Sequence, residues 1–550
     1  MPLRPKFFLF DVILASIVLF PMILSPAEKL VGSQKVDLWN HAWGTWWWQH
    51  SLRQGELPLE TDLLHYPDGG SLWFIDPILA IIGAPLSLFS VSFAYNVSLL
   101  LYLAFASWAA RRFAISLKAS SSASWVASIV FTASAWMVSE VHNGITEAVN
   151  IGPVALALAW VEDAVQTTQK PFRAWAKVGL GIGLATIASP YLGLGVGIAA
   201  LIRGLPKAQY AWFGGLISVL IAAPTMYLFR MPLLAENAII KRPQGMNPFL
   251  ALHNAVDPRT FFVPFGFQSV DLSSEGFLHS MYFGAIALLI GLKTWKEHRA
   301  WVITAFICIL FSLGPFLYWG DSWVMMGEAR LRLPWFFLQN IFSGLAVTHP
   351  LRLAIPALAI VAGLAAAGAT TPYWLDRMKR LYLLLLMEGL LVSGAPWPLE
   401  MADASYPKAY EHIKADHRNV GVLDLPTDAG GTMRTSRYLY WQSYHAKGIP
   451  YAPDARASTS SLLNIPAFRR LAAMCNRRED ENRALGLHNK APGSVHAKML
   501  QNQGIGWIVL HHDIDPAVVQ DLQEVLQADL GTGMVIDKAT VWRLETEDSQ

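Results

Sequence analysis

Apolar runs approaching 20 residues recur along this chain up to about residue 397, and they leave few architectures open. A backbone buried in hydrocarbon must satisfy its hydrogen bonds internally, so such runs become membrane helices. A crossing takes roughly 20 apolar residues, with roughly 17 to 25 tolerated. Residues 94–110, 120–138, 208–229, 300–320 and 353–374 are clear candidates; 148–161, 276–292 and 381–397 are weaker. A further run, 7–25, follows Arg4 and Lys6 and has no small-residue cleavage site, which reads as an uncleaved anchor, with Asp11 at the interface near its cytoplasmic end. Composition agrees: of 550 residues 53% are hydrophobic and 15% charged, and mean hydropathy is +0.35. A formal charge of +2 gives no reason to expect nucleic acid as a partner. Cys308 and Cys475 are the two cysteines, too few for a disulfide framework or a cysteine metal site.

Two segments decide the threading. Residues 73–90 are apolar but broken by Asp76-Pro77 and Pro85, and 178–202 carry Ser189-Pro190 at their centre. With the first read as a juxtamembrane or re-entrant piece and the second as two short helices hinged at Pro190, every compact basic cluster falls on one side. The clusters are Arg111/Arg112/Lys118, Lys170/Arg173/Lys177, Arg203/Lys207, Lys293/Lys296/Arg299 and Arg377/Lys379/Arg380. That side is the cytoplasm by the positive-inside rule. The outcome is a polytopic α-helical membrane protein of about 11 spans in the inner (plasma) membrane, N-terminus cytoplasmic. Outside lie the loop 26–92, a short loop 139–147, long loops near 231–275 and 321–351, and everything past Pro398.

From residue 398 the pattern changes. Short β-rich runs (420–425, 505–511, 534–544) alternate with amphipathic helical ones (407–415, 467–475, 516–528), which predicts a C-terminal extracytoplasmic α/β domain. The domains expected are 1–397, a transmembrane part including the outer loop 26–92, and 398–550, a periplasmic α/β part. The sequence shows no internal repeat.

Polar groups that bear chemistry gather on the outer face. The stretch KVDLWNHAWGTWWWQH (35–50) crowds Asp37, His41 and five tryptophans into the first outer loop, and tryptophan concentrates at membrane interfaces, so the loop is expected to lie on the bilayer. A second outer loop, SEVHNGITEAVN (139–150), brings Glu140, His142, Asn143 and Glu147 to the membrane edge. Ionisable groups at that depth are costly unless hydrated or paired and so mark functional sites, though acids also cap span ends and loop histidines also serve as plain hydrogen-bonding residues. Arg352, preceded by His349-Pro350, sits at the outer mouth of the span that starts at Leu353. Its guanidinium is suited to phosphate, and snorkelling to the interface is the alternative. Lys35 lies two residues from Asp37, and Tyr191 follows the helix break. Glu388 falls inside the last apolar run without an evident partner. In the C-terminal part, His511-His512-Asp513 imitates a metal site, but adjacent strand residues point to opposite faces.

An early outer-loop acid (Asp37), a Pro-containing juxtamembrane stretch (58–85), a second acidic outer loop (Glu140 to Glu147) and an outer C-terminal domain together resemble the GT-C superfamily of polyprenyl-phosphate-sugar-dependent glycosyltransferases. SLGPFL (312–317) and THPLRLAIPALAIVAGLAAAG (348–368) look like segments of poorly characterised bacterial members. The tryptophan-tryptophan-aspartate motif of oligosaccharyltransferases is absent, which disfavours protein N-glycosylation. The resemblance implies a transferase that moves a hexose or pentose from a polyprenyl-phosphate donor in the membrane to an extracytoplasmic glycan, lipid or protein acceptor. Asp37, Glu140 and Glu147 would be the catalytic carboxylates, with Asp37 taking or positioning the acceptor proton. Arg352, Lys35, His41, His142 and Tyr191 would line the substrate site. Glu140 or Glu147 would assist or hold a divalent cation, Mg or Mn, through oxygen ligands. Two rivals stand beside this reading: a non-catalytic assembly subunit with a GT-C-like scaffold, and a secondary transporter, which helices broken at Pro190 would also suit.

Overall fold

The computed structural model describes residues 5–74, 76–240, 254–264, 276–320, 322–341, 348–427, 434–453, 461–476, 497–513 and 516–545. Much of the loop expected at 231–275 and part of that at 321–351 lie outside them. The chain forms two compact units. A membrane unit comprises Met1–Gln34, Ile75–Tyr227 and Pro243–Asp403, and a second unit, called outer after the side on which the sequence analysis expects its C-terminal part, comprises Lys35–Phe74, Leu228–Arg242 and Ala404–Gln550.

In the membrane unit, five helical stretches among the described residues are long and apolar enough to cross a bilayer: Val91–Ser116, Ser124–Asn143, Thr146–Gln166, Pro190–Leu234 and Pro350–Gly368. Val91–Ser116 starts where the Ser90 hydroxyl accepts from Phe93 N at 3.0 Å, satisfying one orphan amide of the first turn. The break expected at Ser189-Pro190 is present: one helix ends at Ala188 and the next starts at Pro190, with Ser189 extended between them. Helix Pro171–Ala188 meets Ala208–Leu234 through glycine, since a Cβ on Gly179 would lie 2.3 Å from Gly214 O. Small residues let apolar helices approach closely where lipid offers no hydrophobic drive. Much of Pro190–Leu234 keeps its apolar side chains, among them Trp212, Leu216, Val219 and Leu220, on the surface, as a lipid-facing helix does.

Three charged groups sit differently from their sequence reading. Asp11 is not interfacial: it is fully buried, with Arg111 gripping both carboxylate oxygens and lying 4.0 Å above the Trp125 ring. Arg111 therefore leaves the exposed basic cluster to which the positive-inside argument assigned it, because a buried carboxylate requires a paired cation. Glu388 has partners after all, accepting from Tyr282 Oη at 3.0 Å and from Ala285 N at 2.8 Å. It thereby caps helix Ala285–Gly291, which is much shorter than the apolar run 276–292 implied.

The outer unit is built on a four-stranded sheet in the order Met534–Ile536, Ala539–Arg543, Ile505–His511, Gly421–Leu425. Ile505–His511 runs parallel to Gly421–Leu425 and antiparallel to Ala539–Arg543. Both parallel strands are buried along their whole length, as strands covered on two faces are. The short strand Met401–Asp403 pairs instead with Lys29–Val31 in the membrane unit.

The tryptophan-rich stretch is helix Leu38–Gln54 of this outer unit. Its five tryptophans are buried inside the protein, Trp43 at 0% exposure, so the expectation that they rest among lipid headgroups is corrected. Trp43 stacks on Trp47 one turn on, with centroids 5.4 Å apart, and its Nε1 donates to Gln442 Oε1 at 2.8 Å. Trp39 packs on Tyr440, while Arg437 lies over Trp39 and Trp441. A buried indole needs a partner for its N–H, and Gln442 of helix Arg434–His445 supplies it.

Candidate functional site

The second acidic stretch is helical rather than a loop. Ser134 caps helix Ala135–Asn143 by accepting from Met137 N, so Glu140, His142 and Asn143 lie on its last turns. Gly144 ends it at φ +74°, a left-handed conformation that a Cβ opposes. The chain then enters the short helix Thr146–Val149, which carries Glu147. Asp76 steadies the far end of this turn. It accepts from Ile78 N at 2.8 Å, capping helix Pro77–Leu86, and from Tyr102 Oη at 2.6 Å and Asn150 Nδ2 at 3.1 Å.

Two polar groupings result, one on each acid. Glu147 Oε1 accepts from Arg352 Nη1 at 3.1 Å. Arg352 stands in the tight turn Pro350–Ala354 that opens helix Ile355–Gly368, and it is only 7% exposed. Its guanidinium carbon lies 5.6 Å from the centroid of the Tyr191 ring. The Tyr191 hydroxyl shares a 2.6 Å hydrogen bond with Thr348 Oγ1 and accepts from Thr348 N at 3.1 Å, and the ring meets His349 edge-on. The break at Pro190 thus puts Tyr191 on a fresh helical start, where its ring covers the cation. A guanidinium has five N–H donors. Apart from the bond to Glu147, those of Arg352 make no hydrogen bond to any described residue, so a buried cation keeps donors available to an incoming anion.

The second grouping centres on Glu140, which is fully buried. Its Oε1 lies 2.8 Å from His279 Nδ1. The imidazole stacks on Phe277 and keeps 22% of its side chain exposed. Asn143 fixes the segment that carries His279, donating to Leu278 O at 2.5 Å and accepting from Leu278 N at 2.9 Å.

Of the residues singled out in the sequence, Glu147, Arg352 and Tyr191 come together. Glu140 faces His279 instead, and His142 is buried, its carbonyl accepting from Ser33 N at 2.8 Å. Lys35, Asp37 and His41 belong to the outer unit. Lys35 is exposed and Asp37 is half-buried at the N-terminus of the tryptophan helix. There Asn40 Nδ2 donates to its Oδ1 at 3.2 Å, and the helix dipole favours a carboxylate. His41 is buried against Phe74. The sequence reading missed His279, Asp76, Asn143 as a clamp and Thr348. In the sequence Asp76-Pro77 reads only as a helix breaker, and nothing near His279 marks it.

A cation cage is not assembled here: no group of three or more His, Cys, Asp or Glu side chains converges among the described residues. In the outer unit, His511 bonds Asp424 Oδ1 and the Tyr410 hydroxyl, while His512 bonds Thr540, so the two histidines do point apart.

No protein-family model matches the sequence, and no curated protein matches it. Solved structures do. The arabinofuranosyltransferase AftD from Mycobacteria matches at a TM-score of 0.62 and 14% identity over 100% of this chain and 40% of its own. ArnT from Cupriavidus metallidurans, in the apo state, matches at 0.50 and 13% over 98% and 97%. The Archaeoglobus fulgidus oligosaccharyltransferase in the apo form matches at 0.50 and 11% over 96% and 71%. These are GT-C glycosyltransferases, and the chain has the GT-C fold. It spans 40% of the length of the mycobacterial enzyme. Identities this low carry the fold and not the reaction.

Proposed function

We propose that the protein is a glycosyltransferase that moves a sugar from a polyprenyl-phosphate donor to an extracytoplasmic acceptor. The GT-C fold supports the kind of reaction. The observation that carries the reading is Arg352: a guanidinium buried to 7% exposure, backed by the Tyr191 ring and bonded to one carboxylate oxygen of Glu147. Such a group is set to take the phosphate of a lipid-linked sugar, because charge-assisted Arg–phosphate hydrogen bonds are strong and two-pronged. As the acceptor oxygen bonds to the anomeric carbon, the bond from that carbon to the phosphate oxygen breaks and negative charge grows on the phosphate. Arg352 would stabilise that charge. Asp37 is read as a carboxylate that positions the acceptor, one of the two roles the GT-C resemblance implies for it. The membrane helices and the outer unit are read as multi-pass in the inner membrane, with the C-terminal unit outside.

The test is transfer of labelled sugar in membranes carrying wild-type, Arg352→Gln or Asp37→Asn protein, with membrane insertion checked in each. Loss of the phosphate contacts lowers transfer by Arg352→Gln on the order of 100-fold. Unchanged glycan in both variants would favour the assembly-subunit reading instead.

A further inference from the structure

Glu140 and His279 form a pair that the phosphate-binding group does not use. The carboxylate is fully enclosed, and its Oε2 has no hydrogen-bond partner among the described residues. A buried acid of this kind is stabilised chiefly by the one donor it faces, His279 Nδ1 at 2.8 Å. An ionised carboxylate accepts and cannot donate, so with Glu140 ionised the neutral ring carries its proton on Nδ1. Asn143 Nδ2 also comes within 3.4 Å of Nδ1, but it is a donor as well and its short bond goes to Leu278 O, so it does not reverse that assignment. Nε2 of the neutral ring is then left with its lone pair. It makes no hydrogen bond to any described residue, on a side chain that remains 22% exposed.

The imidazole is also held firmly. Asn143 grips the backbone of Leu278 in both directions, Ser280 N lies 3.4 Å from Ser139 Oγ, and Phe277 stacks on the ring with an interplanar angle of 11°. Every one of these contacts comes from helix Ala135–Asn143 or from the segment that bears His279 itself. A fixed ring with an enclosed carboxylate on one nitrogen, and on the other a lone pair that no described residue engages, is the arrangement of a general base oriented by an acid.

We propose that His279 is the proton acceptor of the transfer reaction and that Glu140 is its positioning residue. The inference rests on the glycosyl-transfer reading for its reaction. In the step assigned, the acceptor O–H bond breaks and its proton goes to His279 Nε2. The acceptor oxygen forms a bond to the anomeric carbon, and the electron pair of the breaking carbon–oxygen bond leaves with the polyprenyl phosphate. Charges balance without a further reactant: the imidazole becomes imidazolium beside Glu140, and the phosphate gains the negative charge.

Two measurements on the full-length protein test this separately from the reading it rests on. The first needs no substrate. With histidine labelled by ¹⁵N, the His279 signals, assigned by their loss in His279→Gln, are expected to show the neutral ring protonated on Nδ1, and Glu140→Gln is expected to shift the proton toward Nε2. A wild-type ring protonated on Nε2 overturns the proposal whatever the reaction. The second is kinetic, using a panel of synthetic polyprenyl-phosphate pentoses and hexoses with native membranes as the acceptor source. His279→Ala is expected to lower kcat by about 100-fold with little change in donor KM, as loss of a general base does. Added imidazole is expected to restore part of the rate, and Glu140→Asp to retain more activity than Glu140→Gln. Full activity in His279→Ala, or a loss that imidazole does not relieve in a folded variant, overturns the proposal and leaves the glycosyl-transfer reading standing. A wild-type protein that uses none of the donors overturns that reading itself.

Discussion

His445 closes helix Arg434–His445 inside the outer unit, its Nδ1 accepting from Lys447 N at 3.1 Å while the Tyr410 ring packs 5.0 Å away. Burial pushes its pKa down to about 4, with Asp424 pulling it up and Lys447 adding to the fall. The unfolded chain therefore binds a proton at about pH 6.5 that the folded unit refuses until about pH 4, so stability is full above the first value and falls between the two. Between pH 7 and pH 5 the loss is roughly 2 kcal/mol. Amide exchange in strands Gly421–Leu425 and Ile505–His511, corrected for intrinsic rates, should accelerate over that interval in the wild type and much less in His445→Gln. Equal acceleration in both would refute this assignment. At this scale the sequence was legible where a residue type has one strong use. Arg352 was marked by its place at a span mouth, and Tyr191 by the proline before it. The tryptophans misled because an indole with one N–H suits a membrane interface and a wet-edged core equally, and only the Gln442 partner, 399 residues from Trp43, decides between them.

Among the elements, the turn between Ala135–Asn143 and Thr146–Val149 governs where Glu147 meets Arg352. Alanine at Gly144 would have to adopt φ +74°, which costs about 1 to 2 kcal/mol. Asparagine tolerates that region better. Gly144→Ala is accordingly expected to lower both thermal stability and transfer rate, and Gly144→Asn to lie between it and the wild type. Indistinguishable variants would show that this turn does not position the acid. The break at Ser189-Pro190 could be read from sequence because proline removes a donor from the helix interior. The helical course of residues 139–143 could not. Ser139, Glu140, His142 and Asn143 look like a polar loop, and they continue a helix because partners such as Leu278, His279 and Ser280, about 140 residues away, satisfy them. For the same reason the apolar run 276–292 becomes an extended, clamped segment followed by a short helix rather than a span.

At the scale of the whole chain there are two units, one of apolar helices and one built on a mixed sheet, and the last boundary between them, Asp403 to Ala404, lies near the change of sequence pattern at residue 398. The sequence did not show that residues 35–74 cluster with the outer unit, because strand pairing and aromatic packing over such separations leave no local periodicity. The account as a whole turns on Arg352 as the anchor for a lipid phosphate. The most direct measurement is the binding of polyprenyl phosphate and of the uncharged polyprenol to purified wild-type and Arg352→Gln protein in lipid nanodiscs. The account predicts that the wild type prefers the phosphate form by at least about tenfold, the equivalent of one charged hydrogen bond, and that Arg352→Gln loses most of that preference while binding polyprenol as before. Equal affinity of the wild-type protein for the two lipids, or a preference that survives in Arg352→Gln, would contradict it.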